Sequence, residues 1–229
     1  MSEVRIGLVL PDVLGTYSDA GNATVLRKRL QWRGIDASIV PIRVRDPVPS
    51  SLDLYLLGGG EDEAQALAAA RLRADPGVLR AAQRGAVVVG VCAGLQVLGN
   101  RFTTGDGAEH AGLGLLDVDT RPGDRRAVGE VVARTQLLDT PLTGFENHQG
   151  VTTIGDGSRP LGDVVSGTGN GDGTEGAVTG HVLATYLHGP VLARNPALAD
   201  LLLNWALDTE LSPLYMPEVA ELRRERLRS

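Results

Sequence analysis

Apolar and polar positions alternate in two regimes along this chain. Up to about residue 100, short apolar runs alternate with stretches of helical spacing. Residues 4–10 (VRIGLVL) form a run that predicts a first buried strand. Residues 22–33 set Val25, Leu26 and Leu30 on one helical face, with Gly34 as a C-terminal stop. Strands follow over 36–42 and 52–57, and Gly58-Gly59-Gly60 breaks the second of these. Residues 61–73, rich in Ala, Leu, Glu and Gln, predict a helix; Asp75-Pro76 opens another that ends near Gly85. The β-branched run 86–91 (AVVVGV) is the next strand, and residues 94–98 begin a helix. This order predicts an α/β fold with a mostly parallel sheet flanked by helices.

After Asn100 the character changes. Residues 101–180 are rich in Gly, Asp and Thr, with short β-like pieces at 115–119, 128–133 and 151–154. They predict an irregular antiparallel portion in the second half. Residues 167–176 (GTGNGDGTEG) read as turns rather than as a cofactor cradle. A last strand is expected over 181–187, then a helix over 196–211 opened by Asn195-Pro196. The Arg- and Glu-rich tail predicts a solvated C-terminal helix at about 217–228, with i,i+4 pairs. With no internal repeat and no long linker, the chain is expected to form a single domain over 1–229, its core at about 4–209.

Composition narrows the setting. The 229 residues are 42% hydrophobic but only 3% aromatic, so the core must be aliphatic. A net charge of −6 with both signs interspersed gives no basic stripe for nucleic acid or an acidic membrane surface. One cysteine excludes an internal disulfide and suits a reducing cytoplasm, the expected location. No signal-peptide pattern and no transmembrane-length apolar run is present. Nothing points to a metal site.

That cysteine carries the chemistry. Cys92 lies between the 86–91 strand and the helix after it, inside Gly90-Val91-Cys92-Ala93-Gly94. This is a G-x-nucleophile-x-G arrangement with Cys as the nucleophile. A sharp strand-to-helix corner leaves no room for Cβ groups at its flanks, which explains the glycines. A thiol nucleophile needs a proton acceptor, usually His. Of His110, His148, His181 and His188, only His188 follows a predicted core strand at its carboxyl end. Ligands of open parallel sheets bind at that end, so Cys92 and His188 can meet there. His181 begins the same strand at the opposite end, and His110 is expected in a solvated loop. His148, in Gly144-Phe145-Glu146-Asn147-His148-Gln149-Gly150, can either line a pocket or form a turn. The Gly58–Gly60 loop beside the nucleophile strand offers backbone N–H groups to a tetrahedral intermediate, with the Ala93 N–H as second donor.

Together, Gly58-Gly59-Gly60, Gly90-Val91-Cys92-Ala93-Gly94-Leu95-Gln96 and the late His188 resemble class I glutamine amidotransferases, which have a flavodoxin-like fold. The late Leu187-His188-Gly189 resembles the cobyric-acid-synthase-like branch. Thr16-Tyr17-Ser18-Asp19-Ala20-Gly21-Asn22, Phe145-Glu146-Asn147-His148 and Thr185-Tyr186-Leu187-His188-Gly189-Pro190 resemble the GatD family, glutaminase subunits of MurT–GatD lipid II isoglutaminyl synthases.

The resemblance implies roles. Cys92 attacks the side-chain amide of L-glutamine, and His188 takes the thiol proton and returns one to the leaving ammonia. Gly59 and Ala93 stabilise the oxyanion, and Gln96 matches a glutamine-binding position. Arg126 resembles a substrate-binding arginine, with Arg125 as the alternative register. Superfamily triads carry Glu two residues after the histidine, where this chain has Pro190. The orienting acid is then supplied from elsewhere, such as Glu146, or the site is a Cys–His dyad. The resemblance further implies a heterodimer with a MurT-like Mur ligase subunit that binds ATP, Mg and lipid II and amidates the α-carboxyl of D-Glu. No GxxxxGK[ST] loop occurs here, which places the ATP chemistry on the partner and leaves this chain without a cofactor. Two alternatives are an amidotransferase for cobyrinate or another acceptor, and a catalytically silent binding module of the same fold.

Overall fold

The computed structural model describes residues 3–15 and 19–227. Its centre is a six-stranded sheet in the order β11-β12-β4-β3-β1-β2. The strands are β1 (Val4–Val9), β2 (Ala37–Ile42), β3 (Leu54–Leu57), β4 (Val87–Val91), β11 (Ala177–Thr179) and β12 (Val182–Thr185). Five run parallel, and only the edge strand β11 is antiparallel, to β12. β4 is Val-Val-Val-Gly-Val and buried throughout, as a strand covered on both faces must be. β3 and β12 flank it, with Leu57 level with Gly90 and Thr185 level with Val91.

Helices connect these strands. α1 (Gly21–Gln31) buries Ala23, Leu26 and Leu30. It touches α5 (Val191–Arg194) and α6 (Pro196–Leu207) as well as β1 and β2. α2 (Asp62–Ala74) packs on α4 (Ala93–Leu98), and α3 (Gly77–Gln83) leads into β4. α6 ends earlier than its apolar pattern suggests, because Asp208 turns left-handed (φ 47°) and stops it. α7 (Pro217–Arg226) buries no residue, but Arg223 reaches back to the carbonyls of Arg194 and Pro141.

The glycine-rich half is more regular than its composition predicts. It builds a second sheet, β10-β9-β7-β5-β6, with β8 also paired to β7. β7 (Val118–Arg134) and β8 (Leu142–Ile154) are long antiparallel partners, bulged between Pro122 and Ala127. The short strands are β5 (Arg101–Thr103), β6 (Glu109–Ala111), β9 (Gly162–Ser166) and β10 (Thr174–Glu175). β5 pairs parallel with β7, an exception to the antiparallel expectation. His110 is not in a solvated loop: it lies in β6, its ring stacked on Phe102 with centroids 5.2 Å apart. Apolar side chains of both sheets join one buried cluster, from Ile6 and Val88 to Phe102, Val131 and Leu142. No helix among the described residues is long and apolar enough to cross a membrane.

Candidate active site

Cys92 sits where β4 turns into α4, with φ 54° and ψ −107°, a backbone conformation that L side chains rarely adopt. Its N–H donates to the Thr185 carbonyl of the neighbouring strand (2.8 Å). The flanking glycines are required for space. A Cβ on Gly90 would lie 2.7 Å from the Gly94 backbone, and one on Gly94 would lie 2.7 Å from the Leu57 carbonyl oxygen. The elbow is thus pressed between its own helix and β3. As the first helical residue, Ala93 has no helical acceptor for its N–H.

His188 reaches Cys92 because β12 lies beside β4. The chain leaves the sheet after Thr185, and His188 exchanges two backbone hydrogen bonds with Phe145 of β8 (2.8 and 3.1 Å). Its ring lies beside Cys92, His188 Cε1 and Cys92 Cβ both falling within 4 Å of the space over Gly59, and its Nδ1 lies 3.2 Å from the Asp19 carboxylate. Burial disfavours the imidazolium, but the Asp19 carboxylate and the neighbouring Cys92 outweigh it and raise the pKa to about 9.

The carboxylate that meets the His188 ring is Asp19. It enters from the loop between β1 and α1, and its other oxygen accepts the Gly59 N–H (2.9 Å). The preceding Thr16, Tyr17 and Ser18 of the same motif lie outside the described residues. Glu146 does not reach the base. Its carboxylate accepts the N–H groups of Thr168 and Gly169 (2.8 and 2.9 Å) and meets His148 Nε2 at 3.4 Å. Burial pushes the Glu146 pKa up, but those hydrogen bonds prevail and hold it below the usual range. Pro190, at the position where superfamily triads carry Glu, packs against Gly21 at the start of α1.

Gly59 differs from expectation. Its N–H is engaged by Asp19 and does not point at the sulfur. Its lack of a side chain is what the site uses: a Cβ there would lie 3.1 Å from His188 Cε1, 3.3 Å from Asp19 Oδ2 and 3.6 Å from Cys92 Cβ. Ala93, the other residue of the predicted pair, is the first residue of α4 and lines the cavity described next.

A cavity of about 370 Å³ opens over Cys92. Gln96, Arg126 and His148 all line it, and so do Gln65 and Asn147. Arg125 does not line it; Arg126 does, and its Nε donates to Asn147 Oδ1 (2.6 Å). His148 belongs to β8 rather than a turn. It is buried, stacked on Tyr186 with ring centroids 3.7 Å apart, and its Nδ1 is 3.0 Å from the Gly150 carbonyl. Gln96 accepts from Gln65 and points its Nε2 at the Tyr186 hydroxyl (3.4 Å). That hydroxyl continues to Thr152 and then Thr120 (2.7 and 2.8 Å). Sequence reasoning missed Asp19, Gln65 and Tyr186 as parts of the site. Two signals for Asp19 were available: its place in the Thr16–Asn22 motif and its position in the loop after β1, on the side of the sheet where loops of a parallel sheet converge.

Residues 5–196 match the family model of the CobB/CobQ-like glutamine amidotransferase domain. The chain belongs to this family. It is a glutamine-hydrolysing amidotransferase, and among its relatives are two GatD subunits of lipid II isoglutaminyl synthase (glutamine-hydrolyzing). The Staphylococcus aureus (strain N315) protein is 36% identical over 223 residues, 96% of this chain and 90% of its own. The Streptococcus pneumoniae (strain ATCC BAA-255 / R6) protein is 31% identical over 210 residues, 90% of this chain and 81% of its own. A crystal structure of a glutamine amidotransferase superposes with a TM-score of 0.61 at 22% identity, covering 88% of this chain and 98% of that one. At that identity the match speaks for the fold, which is the class I amidotransferase fold.

Proposed function

We propose that this amidotransferase is the glutaminase subunit of a lipid II isoglutaminyl synthase, with Cys92 as nucleophile, His188 as acid–base and Asp19 as the group that orients His188. The observation that carries the site is the line Asp19–His188–Cys92, drawn from three neighbouring loops and opening into the cavity that Arg126 lines. The acceptor rests on the likeness to GatD subunits over nearly the whole chain.

Asp19 holds the Nδ1 side of His188 and leaves the opposite nitrogen for the sulfur and the leaving group. The Cys92 sulfur adds to the side-chain carbonyl carbon of glutamine, and the Ala93 N–H meets the oxyanion. When the C–N bond breaks, the His188 proton goes to the departing nitrogen, giving ammonia and a thioester. His188 then takes a proton from water as its oxygen attacks the thioester, and the thiol and glutamate are released. Arg126 pairs with the glutamine α-carboxylate, while Gln96 and His148 shape the wall against its polar end.

Ammonia leaves for a MurT-like Mur ligase partner, in a heterodimer. That subunit holds ATP and Mg and amidates the α-carboxyl of D-Glu in the lipid II stem peptide. The complex works at the cytoplasmic face, where ATP is present.

Reconstitution tests both halves. With this chain, the partner, lipid II, ATP, Mg and glutamine, amidated lipid II is expected by mass spectrometry. With Cys92→Ser or His188→Ala, glutamine no longer supports amidation, whereas added ammonium does. Amidation from glutamine by Cys92→Ser, or no amidated lipid II from the complete mixture, would overturn the reading.

A further inference from the structure

Glu175 is the one carboxyl of the glycine-rich 167–176 stretch that is wholly buried, and the reaction above leaves it without a task. It ends β10, and the loop before it is built to place it. Asn170 donates to the Gly176 carbonyl (3.0 Å) and accepts the Gly176 N–H (3.1 Å), closing the turn around Glu175.

The backbone explains why a carboxyl belongs there. β12 stops pairing after Thr185, yet the next residues are buried, and buried N–H groups need acceptors. Glu175 Oε1 accepts both the Tyr186 N–H (2.9 Å) and the Thr185 hydroxyl. The Thr185 hydroxyl in turn accepts the Leu187 N–H (3.0 Å). One carboxyl oxygen therefore fixes the three residues that lead from the sheet to His188. On the far side of the same segment, Tyr186 carries the ring stacked on His148 and the hydroxyl facing Gln96.

We infer that Glu175 is a positioning residue: it sets the path of residues 185–187 and so aims the His188 ring at Cys92. The inference rests on the acid–base role proposed for His188.

The surroundings favour a protonated carboxyl. Burial raises Glu175 to about 7, against the lowering effect of the hydrogen bonds from Thr185 and Tyr186. The Glu146 carboxylate of β8, itself facing His148, adds to this by disfavouring a second negative charge on Glu175. Gly169 touches both: its N–H binds Glu146, and a Cβ on it would lie 3.3 Å from Glu175 Oε2.

The test compares Glu175→Ala, Glu175→Gln and Thr185→Val in the full chain with its partner. Readouts are kcat and KM for glutamine, the pH dependence of Cys92 alkylation by iodoacetamide, and circular dichroism. Glu175→Ala is expected to lower kcat on the order of a hundredfold, the scale of a misplaced catalytic group, with a smaller change in KM. Its alkylation profile should shift, because the histidine beside the sulfur has moved. Glu175→Gln keeps an acceptor oxygen and should recover most of the loss. Thr185→Val removes the link to Leu187 and should show the same kcat-weighted loss, which covers the case of an unfolded Glu175→Ala. A folded Glu175→Ala or Thr185→Val with wild-type kcat and alkylation profile would overturn the inference. An active His188→Ala would instead bring down the role of His188, so the two failures are distinguishable.

Discussion

The Asp19 carboxylate binds His188 Nδ1 with one oxygen (3.2 Å) and the Gly59 N–H with the other (2.9 Å), across 169 and 40 residues of sequence. One side chain thus ties the loop after β1 to the loop after β3 and to the segment after β12. A Cys–His dyad would need no such group, so the geometry supports the proposed triad, with its acid supplied by the loop after β1.

Replacing that acid should show first in the pH profile. Burial alone would lower the His188 pKa; Asp19 is the main force opposing it. In Asp19→Asn the pKa should fall from about 9, so the high-pH limb of kcat/KM for glutamine hydrolysis should move to lower pH. The rate should drop by roughly a hundredfold or more, as when a triad loses its carboxylate. An unmoved limb with wild-type kcat would argue against the triad.

The two adjacent arginines should separate cleanly. Arg126 lines the cavity and Arg125 does not. Arg126→Ala should raise KM for glutamine by roughly tenfold or more, as losing a charge-assisted hydrogen bond of about 1.5–3 kcal/mol requires. Arg125→Ala should leave KM within a factor of about two. Steady-state kinetics decide it, and equal effects would return the register to doubt.

Two glycine substitutions should fail for different reasons. Gly59→Ala puts a methyl 3.1 Å from His188 Cε1 and 3.3 Å from Asp19 Oδ2. Rigid crowding there should cost activity more than stability. Gly90→Ala meets backbone atoms of Gly94 at 2.7 Å, where nothing flexible can yield. It should lower Tm by several degrees, since overpacking a rigid core costs about 1–3 kcal/mol. Thermal melts beside glutaminase assays would show whether the order is reversed.

Stability should fall as pH rises through the range where Glu175 ionises. Its carboxyl titrates near 4.5 when exposed and at about 7 in the fold. Between those values the native state binds more protons than the unfolded one, so its contribution is full below about 4.5 and is lost by about 7. The swing is of order 3 kcal/mol. Denaturant unfolding at pH 5 and 7.5 should show a smaller pH effect in Glu175→Gln than in wild type; an identical difference would contradict the buried carboxyl.

The parts of this site that were legible in the sequence are those where local crowding leaves a mark. Gly90 and Gly94 around Cys92 record the tightness of the elbow, and the run 87–91 records a strand covered on both faces. His188 could be paired with Cys92 because strand ends in a parallel sheet share one edge. Asp19 and Glu175 left no such mark. Each is a carboxylate in a polar, turn-like stretch, and its meaning comes from a partner brought near only by the finished sheet. The long β7–β8 pair was understated for the same reason. Its glycines and aspartates lower strand propensity, while pairing across the sheet supplies what propensity lacks.

The strand order also sets when the enzyme can first act. Cys92 follows β4, but the strand bringing His188 to its side, β12, is made about a hundred residues later, after the whole second sheet. At roughly 5–20 residues per second of synthesis, a growing chain exposes its thiol for several seconds before any base can join it. During that interval the thiol has no His188 beside it, so on the role proposed for that histidine glutamine hydrolysis begins only after β12 has been made.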